Sequence, residues 1–108
     1  SRMVTGVTVV RNAFLGENEE AVKTFLQEHK ESTEGINADV QKGAELAVAA
    51  GIIAKEPIAM KAIPKCNITY IAGEEMKRAL SGYLSVLFEQ DPKSVGGALP
   101  ADGFYYGP

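Results

Sequence analysis

A length of 108 residues allows one domain, residues 1–108, with one modest hydrophobic core. Hydrophobic residues make up 45% of the chain and charged residues 23%, which excludes a disordered or fibrous protein. The net charge is only −3, and the lysines are mixed with glutamates along the chain. The sequence therefore lacks the basic patch that nucleic-acid binding requires.

The sequence also argues against a membrane span, a signal peptide within this chain and any feature that needs two or more cysteines. No apolar run approaches the roughly 20 residues of a membrane-spanning helix, and no basic segment followed by an apolar one predicts a signal peptide within this chain. Cys66 is the only cysteine, which excludes an internal disulfide and a cysteine-based zinc site. One cysteine occurs in secreted and in cytosolic proteins alike, so it does not indicate the compartment.

The amino-terminal segment predicts a strand and then a helix. Val4–Val10 is rich in β-branched residues, and a short strand is predicted over Val7–Val10. The chain is expected to continue from this strand to a turn at Gly16. The first helix is predicted over Asn18–Glu34, where apolar residues follow the i, i+3, i+4, i+7 spacing. Asn18 is expected to cap this helix with its side chain.

The rest of the chain predicts three more helices and one more strand. A second helix is predicted over Asp39–Ala50, with small residues on its buried side. Pro57 favours the first turn of a short helix over Pro57–Ile63, and a second short strand is predicted at Ile68–Ile71. The last helix, Glu74–Gln90, has the most regular apolar stripe and is expected to contribute more stability than any other element.

The sequence contains no arrangement that predicts catalysis or metal binding. His29 is the only histidine and falls on the apolar face of the first helix, which favours a half-buried structural role. No nucleophile is paired with a base, and no spacing of His, Cys, Asp or Glu is typical of a metal site. We therefore predict no catalytic residue, no metal and no cofactor, and no enzyme activity.

Two long stretches carry a resemblance to a known family. The first is GVTVVRNAFLGENEEAVKTFLQEHKESTEGINAD, Gly6–Asp39, and the second is PKCNITYIAGEEMKRALSGYLSVLFEQDPKSVGGALPADGFYYG, Pro64–Gly107. Together they resemble the carboxy-terminal part of solute-binding proteins of bacterial ABC importers. The resemblance is to the class that takes up nitrate, sulfonates, taurine and thiamine-pyrimidine precursors.

The resemblance implies a fold class, a location and partners. The fold would be α/β: a mostly helical C-terminal fragment of a two-lobed periplasmic-binding-protein-like (type II) fold, with two short strands. The whole protein would be extracytoplasmic, as a cell-surface lipoprotein or a periplasmic protein, with its signal outside this chain. Its partners would be a small-molecule solute and the membrane permease of the importer.

The resemblance also implies that most ligand contacts lie upstream of this chain, and three residues here remain candidates. The side-chain amide of Asn67 both donates and accepts hydrogen bonds, which suits a small polar ligand. Tyr70 and Asn12 stand at the ends of predicted segments that would face the cleft between the lobes. For each of the three, a turn or strand-end residue that bonds to the backbone is the alternative interpretation.

Three functions remain open at this point. The first is the extracytoplasmic solute-binding component of an ABC importer, which captures a small anionic or heteroaromatic solute between two lobes. The alternatives are a stand-alone helical protein-interaction module and a fragment of a thiamine-pyrimidine synthesis enzyme. Unpaired strand edges and uncovered apolar faces in a fragment also predict that this chain forms a homodimer.

Overall fold

The computed structural model describes residues 3–107, so Ser1, Arg2 and Pro108 lie outside the described residues. Within residues 3–107 the chain is 68% helical and contains no β-strand. The α-helices are α1 Asn12–Glu17, α2 Glu19–Ala38, α3 Val40–Ala49, α4 Glu56–Ala62 and α5 Gly73–Gln90. Short 3₁₀ helices span Ile63–Lys65, Pro92–Val95 and Asp102–Phe104.

The predicted α/β fold with two short strands, as part of a two-lobed type II binding-protein fold, is wrong for the described residues. Val7–Val10 and Ile68–Ile71 both lie in non-helical segments, and no hydrogen bond between backbone groups links either of them to another segment of residues 3–107. A strand exists only where a neighbouring strand supplies such bonds, because β-branched composition favours the extended backbone without pairing it. The turn predicted at Gly16 is also replaced, since Gly16 lies within α1.

The described residues form two compact units, one of residues 10–70 and one of residues 3–9 with 71–107. In the first unit, α2 starts at Glu19, close to the predicted start, and runs to Ala38, beyond the predicted end at Glu34. Asn18 does not cap α2 with its side chain. Its side-chain nitrogen instead donates a hydrogen bond of 3.2 Å to the carbonyl oxygen of Phe14, so Asn18 closes α1.

The third helix, α3, confirms the prediction over Asp39–Ala50 to within one residue at each end. The Asp39 carboxylate accepts a hydrogen bond of 3.1 Å from the backbone N–H of Lys42, which satisfies a free donor of the first turn. After the helix, Gly51 has a φ of 78°, in the left-handed region that glycine enters without steric cost.

The core of the first unit lies between α3, α4 and the 3₁₀ helix Ile63–Lys65. Ala44, Ala59 and Ile63 are buried there, and the half-buried side chains packed around them are Ile36, Val40, Ile53 and Ile68. Two of the three buried residues are alanines, which lets the helix backbones approach closely. The predicted helix over Pro57–Ile63 is confirmed by α4, which has Pro57 in its first turn and continues into the 3₁₀ helix.

In the second unit, α5 confirms the helix predicted over Glu74–Gln90 but buries none of its residues. The helix ends at Asp91, whose carboxylate accepts a hydrogen bond of 3.1 Å from the N–H of Lys93 and so caps the 3₁₀ helix that follows. Ser94 donates to the carbonyl oxygen of Leu87 at 3.2 Å, which folds the 3₁₀ helix Pro92–Val95 back onto α5. The buried apolar residues of the described chain lie in the other unit, so burial does not support the expectation that α5 contributes most to stability.

The contact between α2 and α3 yields a testable prediction at Gly43. A Cβ atom at Gly43 would lie 2.5 Å from Cγ1 of Ile36, whereas a Cβ at Gly35 of α2 would meet nothing within 4 Å. Overpacking of this kind costs about 1–3 kcal/mol. Gly43→Ala should therefore lower the free energy of unfolding in a urea titration. Gly35→Ala is the matched control and should raise it by up to about 1 kcal/mol, because alanine favours a helix. Equal effects of the two substitutions would contradict the close contact.

Candidate functional site

The first unit contains a shallow cleft between α2 and the segment that follows the 3₁₀ helix Ile63–Lys65. It has a volume of about 140 Å³. The residues that line it are Lys30, Thr33, Glu34, Asn37, Thr69 and Tyr70. The four residues from α2 follow the i, i+3, i+4, i+7 spacing, which places them on one face of the helix.

One hydrogen bond between distant parts of the chain holds the two walls of the cleft together. The side-chain nitrogen of Asn37 donates to the carbonyl oxygen of Ile68 at 2.7 Å. Ile68 also packs against the buried core, so its backbone is held from both sides. Because Thr69 and Tyr70 follow Ile68 directly, this bond also determines where their side chains lie relative to α2.

An aromatic row extends from Tyr70 along α2. The ring of His29 meets the ring of Tyr70 edge-on at a centroid distance of 5.9 Å and stacks on the ring of Phe25 at 5.7 Å. Both geometries are favourable for aromatic pairs. His29 is exposed, so the expectation of a half-buried histidine is wrong, and 47% of Phe25 is accessible to solvent. Phe25, His29 and Tyr70 thus form an accessible aromatic surface that reaches the cleft.

The cleft combines opposite charges with hydroxyl groups. Lys30 and Glu34 are exposed and stand one helical turn apart, and Thr69 and Tyr70 add hydroxyls. The hydroxyl of Thr33 is already used, since it donates to the carbonyl oxygens of His29 and Lys30 at 3.1 and 2.9 Å. The volume is below the roughly 300–1,000 Å³ of sites that enclose a small molecule, and water screens exposed charges. By itself this cleft is too small and too open to enclose a small molecule.

The structure separates the three residues that were predicted to contact a solute. Tyr70 lines the cleft, whereas Asn67 and Asn12 do not. Asn12 is exposed at the first position of α1. Asn67 is exposed and has a φ of 53°, the left-handed conformation that asparagine tolerates better than most residues. The positive φ is a structural explanation for asparagine at position 67. Ligand contact at Asn67, Tyr70 and Asn12 stays a prediction.

Sequence reasoning missed the polar residues of α2 that line the cleft. Their only sequence signal is a polar row at helical spacing, and a helix face exposed to water has the same pattern. What distinguishes them is the bond from Asn37 to Ile68, which joins residues 31 positions apart. No local pattern in the sequence encodes a contact at that separation.

The described part of the chain, residues 3–107, contains no group of three or more His, Cys, Asp or Glu side chains that could hold a metal ion. Among the helices described there, none is both long and apolar enough to cross a membrane. Cys66 is exposed, and its sulfur lies 3.4 Å from the carbonyl oxygen of Ala62.

Comparison of the chain with protein-family models, with curated proteins and with solved structures gave no match in any of the three. The resemblance to importer solute-binding proteins therefore rests on the stretches Gly6–Asp39 and Pro64–Gly107 themselves.

The structural interpretation of Asn67 is tested by a pair of substitutions. If the residue is required for its backbone conformation, Asn67→Gly should leave the melting temperature unchanged, because glycine adopts a positive φ freely. Asn67→Ala should lower stability by about 1 kcal/mol, because alanine is strained in that conformation. Thermal unfolding followed by circular dichroism measures both. Equal destabilisation by glycine and alanine would mean that the side-chain amide, rather than the backbone, is what the fold requires.

Proposed function

We propose that this chain is part of the extracytoplasmic solute-binding component of an ABC importer. In this proposal the whole protein captures a small anionic or heteroaromatic solute and delivers it to the membrane permease. It acts at the cell surface as a lipoprotein, or in the periplasm. The observation that carries the proposal is the resemblance of Gly6–Asp39 and Pro64–Gly107, which together cover most of the chain.

The open cleft supports a role for this chain as one part of a larger site. Solute receptors gain affinity when two walls close over the ligand and exclude water. In the proposal, the aromatic row supplies a surface on which a heteroaromatic ring stacks, and Lys30 attracts an anionic group. The second wall would have to come from other residues of the protein, because the cleft of about 140 Å³ is open to solvent.

A stand-alone helical protein-interaction module is the second candidate. It is favoured by the helical content of 68% and the absence of strands within residues 3–107. Leu46, Ile52 and Ile58 of the first unit are large apolar side chains that remain exposed. Exposed apolar side chains are typical of surfaces that bind other proteins when they form a contiguous patch. This candidate predicts a protein ligand and no small-molecule ligand.

Thermal-shift measurements on two proteins test the first proposal. The 108-residue chain and the complete protein encoded by its gene are screened with nitrate, a sulfonate, a thiamine-pyrimidine precursor and a riboflavin-like compound. The complete protein should be stabilised by one of these, by about 2.7 kcal/mol at a ligand concentration of 100 Kd. The 108-residue chain should show no shift, because one open wall offers few contacts.

A pair of lysine substitutions in the complete protein tests the contribution of the cleft. Lys30→Ala should reduce the thermal shift caused by an anionic solute, whereas Lys23→Ala should not. Lys23 is the matched control, since it is also on α2 but does not line the cleft, and its ammonium nitrogen lies 3.6 Å from a carboxylate oxygen of Glu20. A strong shift for the 108-residue chain alone would contradict the one-wall proposal. No shift of the complete protein with any compound would contradict the importer proposal.

A further inference from the structure

The segment Val4–Val10 has an unpaired backbone. Within the described residues, no backbone hydrogen bond involves residues 4–10. Met3–Val10 contains no charged residue, and six of the seven residues Val4–Val10 are valine or threonine, the seventh being Gly6. The side chains of Val7 and Val9 are 62% and 82% exposed. These features together describe a segment suited to strand pairing that has no partner in its own described chain.

Such a segment is able to form backbone hydrogen bonds with another extended chain. Unpaired N–H and C=O groups in a row accept a neighbouring strand, and β-branched side chains pack well across the resulting pair. Within the described residues no other segment pairs with these backbone groups, so Val4–Val10 is not a strand there. Proteins use the same kind of free backbone when they bind an extended partner by strand addition.

The sequence of the segment favours a second copy of itself as the partner. In an antiparallel alignment centred on Val7, Val7 faces Val7 of the other copy, Thr5 faces Val9, and Gly6 faces Thr8. Every opposed pair in this register is uncharged. Further out, Arg11 faces Met3, so the alignment places no like charges opposite each other.

We propose that Val4–Val10 pairs antiparallel with the same segment of a second chain and so joins two copies into a homodimer. The contact is symmetric, since each copy presents the same surface to the other. A two-stranded ribbon is only marginally stable in water, so the dimer is weak. It should dissociate at low protein concentration and form as the concentration rises. This inference is independent of the proposed transport function.

Charge substitutions at Val7 test the register. Light scattering of the wild-type chain over a range of concentrations should approach twice the 11.5 kDa of one chain. Val7→Lys and Val7→Glu should each remain monomeric, because like charges then face each other across the pair. An equimolar mixture of the two variants should dimerise again, because lysine then faces glutamate. Val86→Lys is the control: Val86 is an exposed valine of α5, and this variant should dimerise like the wild type.

Circular dichroism checks that both Val7 variants keep the helical content of the wild type, as expected for an exposed position. Amide hydrogen exchange adds a local readout, since protection of residues 4–10 should rise with protein concentration. A wild-type chain that stays monomeric at every concentration would overturn the proposal. So would dimerisation of either single Val7 variant, or a mixture of the two that remains monomeric.

Discussion

The close packing of α3 against α2 and α4 is the constraint on which the first unit depends. It is made by residues with little or no side chain: Gly43 faces Ile36 of α2, and Ala44 and Ala59 are buried at the contact with α4. Ile68 packs on the same core, and Asn37 of α2 binds its carbonyl oxygen. The position of the cleft thus follows from the helix packing. A larger residue in this contact would displace α2 and, with it, one wall of the cleft.

The small core bears on both the importer proposal and the homodimer proposal. A protein interior stabilises the fold in proportion to the apolar area that it removes from water, and here large side chains such as Phe14, Ile52 and Phe104 remain exposed. Stability is the small difference between large terms, so apolar surface without a covering partner leaves the chain marginal. Burial by other parts of a receptor or by a second copy would each lower the free energy of the folded state. The two proposals concern different residues, the cleft and Val4–Val10, and neither requires the other.

The sequence predicted features that local interactions determine better than features that depend on contacts between distant residues. The bounds of α3 and α5 were predictable to within one residue, because local signals such as the Asp39 cap and the turn at Asp91 determine them. The start of α2 was predicted but its cap was not, since Asn18 bonds to Phe14 instead. The strands were predicted wrongly because pairing depends on a partner that composition cannot supply. Within the cleft only Tyr70 was anticipated, since the bond that assembles the site joins Asn37 to Ile68 across the fold.

The correction of the fold changes what the importer proposal can rely on. A fold by itself does not assign a function, which depends on the groups that a site presents. Here those groups are Lys30, Glu34, the hydroxyls of Thr69 and Tyr70, and the aromatic row. In the open cleft water surrounds the charges and weakens their attraction for a ligand. If a second wall excluded that water, the same charges would act in a lower effective dielectric, where the interaction at a given distance is several times stronger. The affinity of such a site would therefore be set mainly by closure, and the residues of this chain would determine which chemical groups closure favours.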